Sequence, residues 1–330
     1  MEYFIMPTWG ELLKELKDLE QQGVRPPFDS VRRKYLTSLY EHTNRNTIVY
    51  GSQWTQPGNV DPNIISITDE DIQGIMEVIH GLTGKSLDLI LHSPGGSAEA
   101  TEAIVSYLRT KFDDIRVIIP HAAMSAATML ACSANVIILG KHSFIGLIDP
   151  QIRINTQFGP QIAPAQAILE QFKLAQSECR DPQKMGSWLP ILSQYGPALL
   201  VQCKHALDLS KLLVSEWLEK YMFAGKEDAS DLSAKIARIL ADHDRFKSHG
   251  RHINRNQSKE FGLIIDDLEE DQKFQDLVLS VFHSTTHTFG GTTAVKIIEN
   301  HLGKAFIKQQ GMVLIQQPGP SSPQPPKEQK

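Results

Sequence analysis

The sequence predicts an α/β fold built on a mostly parallel sheet, and three observations carry that prediction. Short runs of aliphatic and β-branched residues recur along the first half of the chain, each followed by a segment of helical spacing. Val117 to Leu139 contains no Asp, Glu, Lys or Arg, as expected where parallel strands and the helix between them are covered on every side. The 330 residues are 41% hydrophobic and 22% charged, which suits a large core and excludes a disordered or fibrous chain. Repeated strand–helix–strand units imply right-handed crossovers.

The elements follow in order. Residues 9 to 22 have helical spacing and stop before Pro26-Pro27; Arg32 to Tyr40 reads as a second helix with Leu36, Leu39 and Tyr40 on one side. Thr47 to Tyr50 is a strand and Ile64 to Ile67 another. Thr68 caps the next helix, with Asp69, Glu70 and Asp71 in its first turn. Leu87 to His92 is a strand, Ser93-Pro94-Gly95-Gly96 a tight turn, and Ser97 to Lys111 a helix. Ile115 to Ile119 is a strand, Met124 to Ser133 a helix, and Val136 to Leu139 a strand. From Ile162 to about Leu240 the pattern turns helical. In Pro197 to Phe223, Leu199, Leu200, Cys203, Leu207, Leu213, Trp217 and Leu218 form one apolar stripe, readable as core or as a subunit interface. Asn254 to Ile265 reads as a helix ending at Gly262 with a following strand. Thr286 to Thr293 reads as a capped start to a helix over Ala294 to Leu302. The last fifteen residues contain five prolines and read as a flexible tail.

Composition narrows the class of function. The net charge of −5 argues against a nucleic-acid binder. Three scattered cysteines, Cys132, Cys179 and Cys203, fit a reduced, cytoplasmic protein without a disulfide framework. The charged N-terminus lacks the pattern of a signal peptide, and Pro120, His121, Ser125, Thr128, Ser133 and Asn135 interrupt the uncharged run, so no integral membrane segment is expected.

Two segments carry the chemistry. In Leu89 to Ser97 a strand enters a Pro-Gly-Gly turn and a helix begins at once. Glycines there let backbone N–H groups face a ligand, and the helix start adds positive potential, which suits an oxyanion; a structural turn or a phosphate cradle remains open. In Pro120 to Met129, Ser125 sits at a strand-to-helix junction among small residues. A substrate carbonyl could reach its hydroxyl, and the N–H of Ala126 could share the oxyanion; the alternative is an N-cap serine. His121 reads as a cleft-lining or a loop histidine, and His142 as a surface one. His243 and Asp244 near His249 invite a metal reading, but Asp242-His243-Asp244 lacks the spacing of a ligand set. No Gly-x-Gly-x-x-Gly turn supports a dinucleotide.

The Ser-Pro-Gly-Gly turn followed by Ala123-Met124-Ser125-Ala126-Ala127 resembles the superfamily of Clp proteases and signal peptide peptidases, which shares its fold with crotonases. With Gly140 to Gln151, Arg45 to Ile48, His249 to Ile253 and Glu260 to Leu263, the set resembles the serine dehydrogenase proteinase family of that superfamily, over about residues 30 to 305. The resemblance implies a ClpP/crotonase-like core of stacked β-β-α units with helical additions. It implies an N-terminal helical segment over 1–40, a serine peptidase domain over 41–310 and a Pro-rich tail over 311–330. Ser125 falls at the nucleophile, and the N–H groups of Gly95 or Gly96 and of Ala126 at the oxyanion hole.

The sequence departs from the Clp pattern at the other two positions. The place of the Clp histidine falls at Ile148, beside Asp149, and the place of its aspartate falls at or next to His249. The acid and the imidazole are thus exchanged between two elements, with His249 as base and Asp149 orienting it. Lys184 is the rival base, by resemblance to the Ser–Lys dyad of the signal peptide peptidases. The implied activity is hydrolysis of polypeptides through an acyl-enzyme, without a cofactor, in a homo-oligomer whose interfaces use the faces 98–108 and 199–218. A catalytically silent scaffold is the alternative, and an acyl-CoA ligand, as in crotonases, a third reading.

Overall fold

A computed structural model describes residues 8–56 and 60–311. The Pro-rich tail and the extreme N-terminus lie outside the described residues. The first helices are α1 (Trp9–Gln21) and α2 (Pro27–Thr43); Thr8 caps α1 through a capping box, and Pro27 stands at the first turn of α2. Then come β1 (Asn46–Ser52), α3 (Pro62–Ile65), α4 (Asp71–Ile79), β2 (Ser86–His92), α5 (Ala98–Lys111), β3 (Asp114–Ile119), β4 (Ala122–Ala123), α6 (Ala126–Cys132), β5 (Val136–Leu139) and β6 (Phe144–Ile145). A hairpin follows, β7 (Gln151–Thr156) and β8 (Gly159–Pro164), then α7 (Ala165–Glu178), α8 (Pro182–Leu192) and α9 (Leu199–Trp217). The chain closes with α10 (Ala229–Leu240), α11 (His243–Phe246), β9 (Ile253–Asn254), α12 (Arg255–Phe261), β10 (Ile265–Asp267), α13 (Gln272–Gly291), β11 (Ala294–Asn300) and β12 (Ala305–Gln309).

The main sheet has the order β10-β5-β3-β2-β1-β11-β12. Its first five strands are parallel, and β11 and β12 add antiparallel to β1. Both faces are covered, so alternate residues of one strand enter different cores. Tyr50, Leu91, Ile119 and Leu139 join the core beneath α4, α5, α6, α9 and α10. Val49, Ile90, Ile118 and Ile138 join Leu12, Leu16, Leu36, Leu39 and Val278, from α1, α2 and α13. This two-sided burial is why the strands read as continuous apolar runs. A second small sheet, β4-β6-β9, lies past the ends of β2 and β3 and is tied to the first by a bridge between Ser93 and Ala123.

Several expectations hold. Val117 to Leu139 is strand, helix and strand, and no helix among the described residues is long and apolar enough to cross a membrane. The stripe of α9 is buried within the chain at Leu199, Cys203, Leu207, Leu213 and Trp217. Gly262 ends α12 in a left-handed conformation, and all three cysteines are free.

Four local readings are corrected. Ile64 to Ile67 is not a strand: Asp61 caps and Pro62 starts a single helical turn, and Ile67 makes one bridge, to Gly96. The Thr68 hydroxyl does not cap α4; Asp71 Oδ2 accepts from the Thr68 N–H at 2.9 Å instead. Ile162 lies in the β7–β8 hairpin rather than at the start of a helical region. Ala294 to Leu302 is strand β11, not a helix, and Thr286 to Gly291 ends α13 rather than starting a new helix. Lys296, Glu299 and Asn300 mimic the solvated face of a helix, yet all three are buried and paired: Lys296 with Asp71, Glu299 with Arg32 and Arg33, and Asn300 with the carbonyl of Val78. The β-branched Val295, Ile297 and Ile298 then suit a strand held between β1 and β12.

The hairpin, α7 and the first half of α9 pack on one another through a separate apolar cluster that includes Ile152, Ala165, Ile168, Leu199 and Cys203. This lobe stands outside the main core and carries exposed apolar side chains, among them Phe158 (80% exposed), Ile162 and Leu174.

Candidate active site

The ends of the parallel strands bring the two singled-out segments together. β2 runs into Ser93-Pro94-Gly95-Gly96, and Ser97 caps α5 by accepting from the Ala100 N–H at 3.0 Å. β3 leads through β4 into Ser125, which precedes α6. A Cβ on Gly95 would stand 2.8 Å from Ala126 N, 2.8 Å from Ser125 Cβ and 2.5 Å from the Met124 carbonyl oxygen. Its φ is also +95°. Only glycine fits there, for space and for backbone angle alike.

Gly96 is required for close approach. A Cβ there would sit 2.3 Å from the Ile67 carbonyl oxygen. The Ile67 N–H donates to the Gly95 carbonyl at 2.7 Å, and the Ser97 N–H donates to the Ile67 carbonyl at 3.0 Å. Ile67 therefore fixes the turn from outside. Ser66, its neighbour, is held by the buried Lys296 ammonium, which donates to the Ser66 carbonyl at 2.6 Å and to Asp71. Burial pulls the Lys296 ammonium down to about 8 despite Asp71.

Ser125 has φ 53° and ψ −122°, a backbone conformation L-residues rarely hold. Its side chain does not cap α6, so the N-cap alternative falls away. Ser125, Ala126 and Gly96 line a cavity of ≈ 290 Å³ whose other walls include Met129, Ile148, Ile152 and Leu209. Among the described residues the N–H groups of Gly96 and Ala126 have no acceptor, whereas the Gly95 N–H donates to Ser93 Oγ at 3.2 Å. Of the two glycine amides, the one at Gly96 is free to face a ligand.

Asp149 follows Ile148 and is fully buried. His249 Nδ1 lies 2.6 Å from its Oδ1, so the predicted imidazole–carboxylate pair forms. Ile148 and Pro150, on either side of Asp149, both line the cavity of Ser125. The Ser125 hydroxyl makes no hydrogen bond among the described residues, to His249 or to any other base. Lys184 is not brought to the cavity: it lies on α8, 54% exposed, with its ammonium 4.0 Å from Glu178. His142 is exposed. His121 is half-buried, stacks on His92 with ring centroids 5.4 Å apart, and is held below the usual histidine range by desolvation and by His142 and His252.

Two contacts of Asp149 escaped the sequence reading. His243 Nδ1 lies 2.9 Å from the second oxygen of Asp149, and Gln151 Nε2 lies 3.3 Å from the same oxygen. The only signal was the closeness of His243 to His249 in the chain, and it points to a shared carboxylate rather than to a metal. Among the described residues no group of three or more His, Cys, Asp and Glu side chains could hold a metal ion.

Residues 59–188 match the family model described as ClpP-like SDH-type serine proteinase. Two uncharacterized proteins of Methanocaldococcus jannaschii are similar: MJ0137 is 31% identical over 202 residues, covering 61% of this chain and 60% of that protein. MJ1495 is 33% identical over 199 residues, covering 58% and 60%. The chain thus spans about 60% of the length of the curated relatives it matches. Among solved structures, a serine-to-alanine mutant of the 1510-N membrane-bound stomatin-specific protease overlaps 64% of this chain and 79% of its own, at 14% identity and a TM-score of 0.37. The ClpP protease catalytic domain from Plasmodium falciparum overlaps 65% and 94%, at 15% identity and a TM-score of 0.32. Overlaps this low add nothing to the fold, which stands on the strand order above. Residues 59–188, the segment that matches the ClpP-like SDH-type serine proteinase model, hold both the Gly95-Gly96 turn and Ser125.

Proposed function

We propose that the chain is a peptidase that cleaves polypeptides through an acyl-enzyme on Ser125. One observation carries the reading: a serine held in a strained backbone conformation at the start of a helix, against a turn that only glycine can make. In this reading Ser125 Oγ attacks the peptide carbonyl carbon and its proton passes to His249 Nε2. The Nδ1–H donated to Asp149 leaves that nitrogen bare. The oxyanion accepts from the N–H groups of Gly96 and Ala126, at the positive end of α6. The tetrahedral species collapses, the amine leaves with the proton from His249, and water, deprotonated by the same ring, hydrolyses the ester. The Ser125–His249 contact forms when substrate arrives, since catalytic hydrogen bonds are commonly loose without it. Lys184 takes no part. We further propose that the chain acts in the cytoplasm as a homo-oligomer, a reading favoured by the exposed apolar side chains of the lobe.

The test is labelling by a fluorophosphonate together with hydrolysis of an unfolded casein-like substrate. Both are expected in the native chain and absent in Ser125→Ala, and Lys184→Met is expected to behave as native. Labelling and hydrolysis that persist in Ser125→Ala overturn the assignment. A second reading, a catalytically silent scaffold, is favoured by the missing contact between Ser125 and a base. A well-folded protein that no serine-reactive probe modifies would establish it.

A further inference from the structure

Asp149 presents an unusual balance. Its carboxylate is fully buried, yet no Lys or Arg among the described residues pairs with it; the donors that reach it are His249, His243 and Gln151. A buried carboxylate needs such donors, because water is not there to hydrate it. A carboxylate held through one oxygen also turns easily about its last torsion, which is broad and nearly two-fold. Here the two oxygens are claimed from opposite sides: His249 Nδ1 at 2.6 Å on Oδ1, His243 Nδ1 at 2.9 Å on Oδ2.

The position of His243 is itself fixed. It opens α11, where Asp242 caps by accepting from the Arg245 N–H at 2.9 Å, and the Lys247 N–H donates to the His243 carbonyl at 2.7 Å. The Ile148 N–H donates to the Leu240 carbonyl at 2.9 Å, so the connection between β6 and β7 that bears Asp149 is stitched to the segment that leads into His243.

We propose that His243 is a positioning residue for the His249–Asp149 pair: by holding the second oxygen of Asp149 it sets the plane of the carboxylate, and through it the direction in which His249 Nε2 points. His243 acts through Asp149 and not on the substrate, which makes it a positioning residue rather than a catalytic one. Both rings donate through Nδ1, which gives them the same tautomer and keeps the two Nε2 atoms off the carboxylate. The inference deepens the peptidase reading and rests on it for its kinetic arm alone.

Three variants test it. His243→Asn keeps an N–H donor of similar reach, whereas His243→Leu and His243→Ala remove it. In hydrolysis of the casein-like substrate, kcat is expected to fall about 10- to 100-fold in His243→Leu and His243→Ala with KM unchanged, and to return to within about 3-fold of native in His243→Asn. A merely structural histidine would instead give an Asn variant no better than Leu. The second arm needs no catalysis. Proton NMR of the Ser125→Ala protein is expected to show two low-field ring N–H resonances, from His249 and His243. Adding His243→Asn is expected to remove one and leave the other in place, and His243→Leu to shift and broaden the survivor. A His249 resonance identical in all three proteins overturns the proposal. Intact NMR behaviour with no hydrolysis by the native chain overturns the peptidase reading and leaves the positioning role standing.

Discussion

Ser125 and Gly95 test each other at the scale of single residues. The backbone of Ser125 carries roughly 1–3 kcal/mol of conformational strain, which glycine would not feel. Ser125→Gly is therefore expected to raise the free energy of unfolding by about 0.5–2 kcal/mol while abolishing labelling, after allowing for the greater freedom of glycine in the unfolded chain. Ser125→Ala, which keeps the strain, is expected to stay within about 0.5 kcal/mol of native. Chemical denaturation of the two variants checks this, and equal stabilities would count against stored strain. Gly95→Ala acts in the opposite direction. Its methyl group would meet the Met124 carbonyl at 2.5 Å and Ala126 N at 2.8 Å, so a loss of about 2–4 kcal/mol is expected together with loss of labelling. Ser125 and the diglycine were legible in the sequence because the two segments occur in order, each at a strand-to-helix junction that lets backbone and hydroxyl approach a ligand. His243 was not, because nothing local reveals which oxygen of a distant carboxylate a side chain will reach. Lys184 lies exposed on α8, away from the cavity, in keeping with its polar neighbours Asp181 and Gln183.

At the scale of elements, the turn after β2 is held by a segment that looked like a strand and is not one. Ile67 bridges to Gly96, and Ser66 hangs on Lys296 of β11. Removing one partner of a buried ion pair leaves the other charge unpaired. Lys308 Nζ also stands 3.1 Å from Asp71 and offsets part of that loss. Lys296→Met is thus expected to cost about 2–4 kcal/mol, read by denaturant titration, and to slow labelling of Ser125 by loosening the turn. An unchanged labelling rate in the folded variant would detach the turn from this clamp. The same strand explains the largest misreading. Charged residues at 296 and 299 look solvated in a sequence, and only the fold shows that each has a buried partner of opposite sign. The central strands were readable for the converse reason: with both faces covered, their apolar runs carry few polar interruptions, Asp88 and Arg116 among them.

For the whole molecule, histidines set the response to acid. His92 is buried at the end of β2. Its Nδ1–H donates to the Ala122 carbonyl at 3.1 Å, and its Nε2 lies 3.3 Å from Thr55 Oγ1. Desolvation, with His121 nearby, pulls it down to about 3, and desolvation with His287 and His142 pulls His283 down to about 4. The unfolded chain takes up these protons near the ordinary histidine range, about 6.5, while the folded chain refuses them. Stability is then full above about pH 6.5 and falls as the pH drops toward 3, by about 1.4 kcal/mol per pH unit for His92 alone. Unfolding at pH 5 is expected to take up about one proton fewer in His92→Leu than in the native chain, measured by calorimetry in buffers of different ionisation enthalpy. Equal uptake would sink the assignment.

The link between Ser66 and Lys296 spans 230 positions of the chain. A polypeptide still emerging from the ribosome, with residues up to 293 made, already has its serine and its glycines but not the cation that secures their geometry. Fragments that stop short of β11 therefore lack the fastening that Lys296 supplies to Ser66.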